Sequence, residues 1–158
     1  MGKLNNTKEA QLEQNLIDLL CAQHGQWTFR SDLKTEEDLW NNLRNIIEIR
    51  NKSELNDNML TDSEFKRIRS EILANTKTPF EAAKWLRGEK GKCSVVLERD
   101  NGLGRIELII YSSIEKNGGF SSYEIVHQIA KNKSNLEERS RRFDITLLIG
   151  GLPIIQIE

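Results

Sequence analysis

The stretch RRFDITLLIGGLPIIQIE, residues 141–158, places Asp144 where its first apolar run opens and Glu158 where its second closes, with Gly150-Gly151 between the runs. A hairpin with the three-residue loop Gly150-Gly151-Leu152 pairs residue 149 with 153, 147 with 155 and 144 with 158. The two acids then become direct cross-strand neighbours. Alternation puts Asp144, Thr146 and Leu148 on one face with Ile154, Gln156 and Glu158, and Ile145, Leu147, Ile149, Ile155 and Ile157 on the other. Opposed side chains hold their Cβ atoms ~4.5–5.5 Å apart, and like charges at that distance repel. A divalent cation removes the conflict. Carboxylate oxygens suit Mg²⁺, which takes one or two of them and fills its other positions with water and phosphate oxygens, and which can polarise a phosphoryl oxygen and activate water. The plainer alternative is a pair of solvated acids that blunt a sheet edge. A two-residue turn would instead shift the register by one and send the acids to opposite faces.

Directly before the hairpin lies KNKSNLEERSRR, in which Lys131, Lys133, Arg139, Arg141 and Arg142 outnumber Glu137 and Glu138. Arginines beside Phe143-Asp144 stand where a phosphodiester would approach a metal held by the acids. A solvated charged loop has the same composition.

The elements that must position these residues divide the chain. Helical periodicity runs through TKEAQLEQNLIDLLCAQ, where Leu12, Leu16, Leu19 and Leu20 recur, and through TEEDLWNNLRNIIEIRN, which opens on Thr35 and acids and closes on Arg50. In TDSEFKRIRSEILANT, Thr61-Asp62-Ser63-Glu64 resembles a capping box, and PFEAAKWLRG starts on Pro79 and stops at Gly88. After Gly91 come five short strand-like runs, with ERDNGLGRIE joining the first two as a hairpin. The spacing predicts one domain over residues 1–158, helical over 7–88 and strand-rich over 92–158, of α/β (α+β) class with a mostly antiparallel sheet.

Composition sets the outer bounds. With 37% hydrophobic and 30% charged residues in 158, the chain reads as one globular domain. A net charge of −1 gives no bulk case for nucleic acid, so any such case rests on local clusters. Cys21 and Cys93 have no CxxC spacing, which favours a reducing compartment over a disulfide or zinc framework. No segment has the apolar core of a signal peptide or the ~18 apolar residues of a membrane span. The expectation is a cytoplasmic protein with no membrane partner.

The hairpin RRFDITLLIGGLPIIQIE resembles the segment of the R subunits of type I restriction-modification enzymes that carries the Asp … Glu-x-Lys motif of the PD-(D/E)XK nucleases. KEAQLEQNLIDLLCAQHGQW is similar to the N-terminal helix of those subunits, and NMLTDSEFKRI to the segment that follows it. The resemblance implies a PD-(D/E)XK core and metal-dependent cleavage of double-stranded DNA. Asp144 and Glu158 would be its catalytic carboxylates and Mg²⁺ ligands, with Mn²⁺ as a substitute ion. It assigns Glu13 to the place of a further acidic residue near the metal. It also implies an ATP-driven motor and methyltransferase and specificity subunits as partners. The sequence departs from the pattern in two places. The motif's lysine would follow two residues after Glu158, and no GxxxxGK[ST] occurs, RGEKGKCS being better read as a turn. The expectation is therefore an N-terminal fragment, truncated before the lysine and the motor and inactive alone.

His24 and His127 have no partner at ligand spacing and read as structural, although His127 stands in the strand before the basic loop. Trp27, Trp40 and Trp85 fit packing positions, with base stacking open to them only if exposed. The rival reading is a non-enzymatic α+β interaction module that docks a larger restriction or DNA-processing complex, with Asp144 and Glu158 as edge charges.

Overall fold

In the computed structural model, backbone is described for residues 2–22, 26–113, 122–129 and 143–157, and side chains for these except 2–7, 143 and 144. The elements in order are α1 (Gly2–Ala22), β1 (Thr28–Phe29), α2 (Glu36–Arg50), α3 (Lys52–Leu55), α4 (Asp62–Asn75), α5 (Pro79–Arg87), β2 (Lys92–Glu98), a 3₁₀ turn (Asp100–Gly102), β3 (Arg105–Ser112), β4 (Tyr123–Ile129), β5 (Phe143–Ile149) and β6 (Leu152–Ile157). The architecture is mixed α/β, with helices and a mixed sheet, consistent with an α+β class. Packing divides the chain into two compact units, Met1–Leu43 with Ser121–Glu158 and Arg44–Phe120, the division falling within α2. No helix among the described residues is long and apolar enough to cross a membrane.

The first unit is built on a four-stranded sheet in the order β1-β4-β5-β6. β1 runs parallel to β4, and the other pairs are antiparallel. At two residues, β1 is too short to show a periodicity, and the sequence pattern does not reveal it. Side chains pack on both faces of the sheet. On one, Ile125, Ile145 and Leu147 meet Ile17 of α1, with Leu16, Leu20 and Trp27 around them. On the other, Val126 and Leu148 meet Leu33 and Leu39. Alternation predicts that this second face turns polar toward the hairpin's open end, yet Thr146 is buried and Leu148 fully so. Ile155, expected in the core, is 46% exposed because β6 is the edge strand.

The hairpin corrects the turn and the expected pairing of 149 with 153, and keeps the expected register from Leu147 and Ile155 to Ile145 and Ile157. Gly150 and Gly151 form a two-residue turn with φ 60° and 80°, so Ile149 pairs with Leu152 and Leu148 with Pro153. Left-handed backbone at both positions is what a type I′ hairpin requires, and glycine adopts it without a Cβ clash. A bulge then absorbs Ile154, and Leu147 pairs with Ile155, Thr146 with Gln156 and Ile145 with Ile157. Pro153, which lacks an N–H, sits beside that bulge on the edge strand, where its loss to the ladder is tolerated.

The second unit pairs β2 with β3 under α4 and α5. Strict alternation buries Cys93, Val95 and Leu97 on β2. These lie in a unit whose interior also holds Ile47, Phe65, Ile68, Ile72, Leu108 and Ile110. The capping box at α4 is present: Thr61 Oγ1 accepts from Glu64 N, and the Glu64 carboxylate accepts from Thr61 N. The Asn51 side chain behaves as a further strand residue, donating to Ile109 O (2.9 Å) and accepting from Ile109 N (2.8 Å).

Candidate functional site

The carboxylate positions are set by the β4–β5–β6 arrangement. Asp144 lies in β5, one residue before Ile145, whose partners are His127 on β4 and Ile157 on β6. The Asp144 side chain and Glu158 lie outside the described residues, as do Lys131, Lys133, Arg139, Arg141 and Arg142. Among the described residues no group of three His, Cys, Asp or Glu could hold a metal ion.

Glu13 is described, and it has a partner. On α1 it stands one helical turn before Ile17, which seats the helix on Ile125 and Ile145. His127 lies two residues along β4 from Ile125. The helix face that is apolar at Ile17 therefore becomes polar at Glu13 where the strand face becomes polar at His127. His127 Nε2 and Glu13 Oε2 are 2.5 Å apart, with Glu13 11% and His127 31% exposed at the side chain. A carboxylate can only accept, so Nε2 carries the donated hydrogen. Glu13 is thus neither a solvated surface acid nor unattached, and His127, which shows no partner at ligand spacing, pairs with a residue 114 positions away.

Beside this pair β4 departs from regular strand geometry. Gln128 adopts φ 52°, between the pairs His127–Ile145 and Ile129–Phe143 and across from position 144. A left-handed residue reverses the alternation: Ile129 packs with Val126, Leu148 and Leu33 instead of sharing the face of Ile125. For a non-glycine residue this conformation costs about 1–2 kcal/mol, and such outliers concentrate at functional sites. Glutamine gives no sequence signal for it.

A second polar cluster in the same unit also has no signature in the sequence. Glu124, 5% exposed, accepts from Arg30 and from Asn42 Nδ2 (2.9 Å), and Ser122 Oγ donates to it at 3.3 Å. Arg30 also grips Asp32 through two bonds of 2.9 and 2.7 Å. Arg30 is raised above its ordinary value, first by the Asp32 hydrogen bonds and also by Glu124, although its partial burial opposes this. Asp32 is pulled down to about 2, chiefly by those bonds. With both carboxylate oxygens of Glu124 matched, the cluster ties Arg30, just after β1, to α2 and β4.

In the second unit a cavity of about 470 Å³ is lined by Trp85, Lys90, Lys92, Cys93 and Glu107 among others. Burial pushes the Cys93 thiol up to about 12, so it is a poor nucleophile or metal ligand at neutral pH. The free thiols of Cys21 and Cys93 are not bridged.

The chain is similar to known proteins over most of its length. The family model for the N terminus of the type I restriction enzyme R protein (HSDR_N) matches residues 6–158. The chain is 32% identical over 128 residues to the Type I restriction enzyme SsaAORF53P endonuclease subunit of Staphylococcus saprophyticus, covering 80% of this chain and 12% of that protein. It is 30% identical over 131 residues to the Type I restriction enzyme SauCOLORF180P endonuclease subunit of Staphylococcus aureus strain COL, covering 82% and 12%. The chain thus spans about an eighth of the length of these relatives. No solved structure matches.

Proposed function

We infer the function from one premise: the chain belongs to the family of type I restriction enzyme R protein N termini. We propose that it is the N-terminal part of a PD-(D/E)XK endonuclease domain that cuts double-stranded DNA by metal-dependent phosphodiester hydrolysis. Both compact units then belong to that endonuclease domain. The ATP-consuming motor would lie elsewhere in a longer subunit, and the methyltransferase and specificity subunits would be its partners. On this reading the protein works in the cytoplasm, on DNA.

The observation that supports this best is the register of the last hairpin. A two-residue turn alone would have sent the two acids to opposite faces, and the bulge at Ile154 restores the pairing of Ile145 with Ile157. If that register ran one pair further, as the proposal requires, position 144 would face position 158. Two carboxylates so opposed repel unless a cation lies between them, and their hard oxygens fit Mg²⁺, with Mn²⁺ as a substitute. When bound, the ion would polarise a phosphoryl oxygen and lower the pKa of an attacking water.

The chain's own residues have separate tasks. Asp144 and Glu158 hold the ion; Lys131, Lys133, Arg139, Arg141 and Arg142 draw the phosphate backbone to it. Glu13, fixed by His127, stands on α1 as the third acid, either a ligand through its remaining oxygen or an acceptor for a metal-bound water. The motif's lysine, two residues past Glu158, would stabilise developing negative charge, a contribution on the scale of ~10²–10³ in rate by analogy with single oxyanion-hole donors.

Calorimetric titration with Mn²⁺ of the chain carried through that lysine tests the metal site. Saturable binding that disappears in Asp144→Asn and in Glu158→Gln is expected. Absence of binding, or binding indifferent to both substitutions, would leave the acids as edge charges on an interaction module.

A further inference from the structure

The proposed cleavage site leaves α5 and the turn behind it unused. Residues 84–92, KWLRGEKGK, carry four cations against the single acid Glu89, in a chain whose net charge is −1. Phe80, Lys84 and Arg87 recur at i, i+4 and i+7, which places them on one side of the helix. All three are exposed, Phe80 to 78%, whereas Trp85 and Leu86 on the other side are half-buried. Among the described residues, none of Lys84, Arg87, Lys90 and Lys92 is matched by a carboxylate.

The turn is built rigidly. Gly88 ends α5 with φ 49°, and a Cβ there would meet Lys92 O at 1.8 Å, so only glycine permits the approach. Lys92 N donates to Glu89 O (3.1 Å), and Ser113 donates to Gly91 O through its backbone N (2.8 Å) and its Oγ (3.2 Å). Lys90 takes φ 55°, where Gly or Asn would be cheaper. A lysine at such a position, on a pinned turn, differs from a loose run of charge.

We propose that the exposed side of α5 and the turn of residues 88–92 bind the phosphate backbone of duplex DNA, as a second contact distinct from the basic segment beside the hairpin. The inference rests on the nuclease reading for its choice of partner. The composition supports that choice: three of the four cations are lysines, which protein interfaces are depleted of, whereas backbone phosphate contacts are made by Lys and Arg without regard to sequence. Phe80 is the one large apolar group on this side, too little for a protein-docking core.

Fluorescence anisotropy of a short labelled duplex, in EDTA so that nothing is cut, tests the proposal on the 158-residue chain and on the full-length subunit. Lys84→Ala/Arg87→Ala and Lys90→Ala/Lys92→Ala should each weaken binding several-fold. Each should also make the plot of log affinity against log salt shallower by ~0.9 for every phosphate left without its cation. Lys8→Ala/Lys34→Ala, which removes the same charge from exposed positions in the first unit, should change neither, and circular dichroism should show unaltered melting for all three. Equal losses in all three variants would mean bulk charge alone and would overturn the proposal. So would unchanged DNA binding with impaired capture of the methyltransferase subunit, which would make the surface a protein-docking face. Because binding is read without cleavage, the two readings fail separately. Loss of binding in the α5 variants stands even if Asp144→Ala still cuts DNA, and intact binding in them sinks this proposal even if Asp144→Ala does not cut.

Discussion

At the residue scale, the pair most open to measurement is Glu13 with His127. A hydrogen bond to a charged group contributes about 1.5–3 kcal/mol, and leaving one partner half-buried and unmatched costs a similar amount. His127→Ala and Glu13→Gln are each expected to destabilise the chain on that scale. Urea unfolding of the two variants and their double mutant should give a coupling of about 1 kcal/mol. Strict additivity would show that the 2.5 Å contact carries no energy. The pair is invisible in the sequence because its members are joined only through the packing of α1 on β4. Arg30, Asn42 and Glu124 are hidden for the same reason, their contact joining the residue after β1 to α2 and β4. Asp144 and Glu158 can be picked out because a hairpin's partners lie close in sequence and alternation assigns their faces in advance.

At the element scale, signals that act within a few residues are readable. Thr61 with Glu64, Thr35 with Asp38 and Pro79 after Thr78 mark real helix starts, and β2 through β6 follow the expected runs. The turn of the last hairpin is not readable in the same way. Gly150-Gly151 favours the two-residue form, and nothing in Pro153-Ile154 announces a bulge that adds the residue back. An incorrect loop and the expected register at Leu147 and Ile155 thus coexist. The α4 N-terminus yields a prediction of its own. Glu64, fully buried, accepts from Arg99 Nε at 2.7 Å and Asp100 N at 2.8 Å. Burial alone would raise its carboxyl, but Arg99 and the two backbone donors bring it below the ordinary glutamate value. A depressed carboxylate contributes stability that is present above its unfolded-state value and is lost as pH falls through the folded one. Acid titration followed by circular dichroism should therefore show stability falling below the usual glutamate range. Arg99→Ala should cost about 3–5 kcal/mol at neutral pH by stranding a buried charge. In Glu64→Gln the acid-dependent loss should be smaller, and an identical acid profile would contradict the assignment.

At the scale of the whole molecule, two units each enclose a buried interior around a sheet of their own, and the acids, the Glu13–His127 pair and the hairpin all belong to the first. Length and composition point to one domain but carry no sign of this division, which runs through the middle of α2 and is unmarked by any Gly or Pro there. The chain spans 12% of each of the two staphylococcal relatives. The proposed activity is therefore best measured where the remaining parts are present. The decisive experiment places Asp144→Ala in the full-length subunit, assembles it with its partners, and follows DNA cleavage and ATP hydrolysis side by side. Changes to groups that merely support a metal ligand cost ~10–100-fold, so loss of a ligand should reduce cleavage by at least ~10²-fold. ATP hydrolysis, the work of another part of the subunit on the proposed reading, should persist. Cleavage at the unsubstituted rate would contradict the assignment of Asp144 to the metal and with it the nuclease reading of this chain.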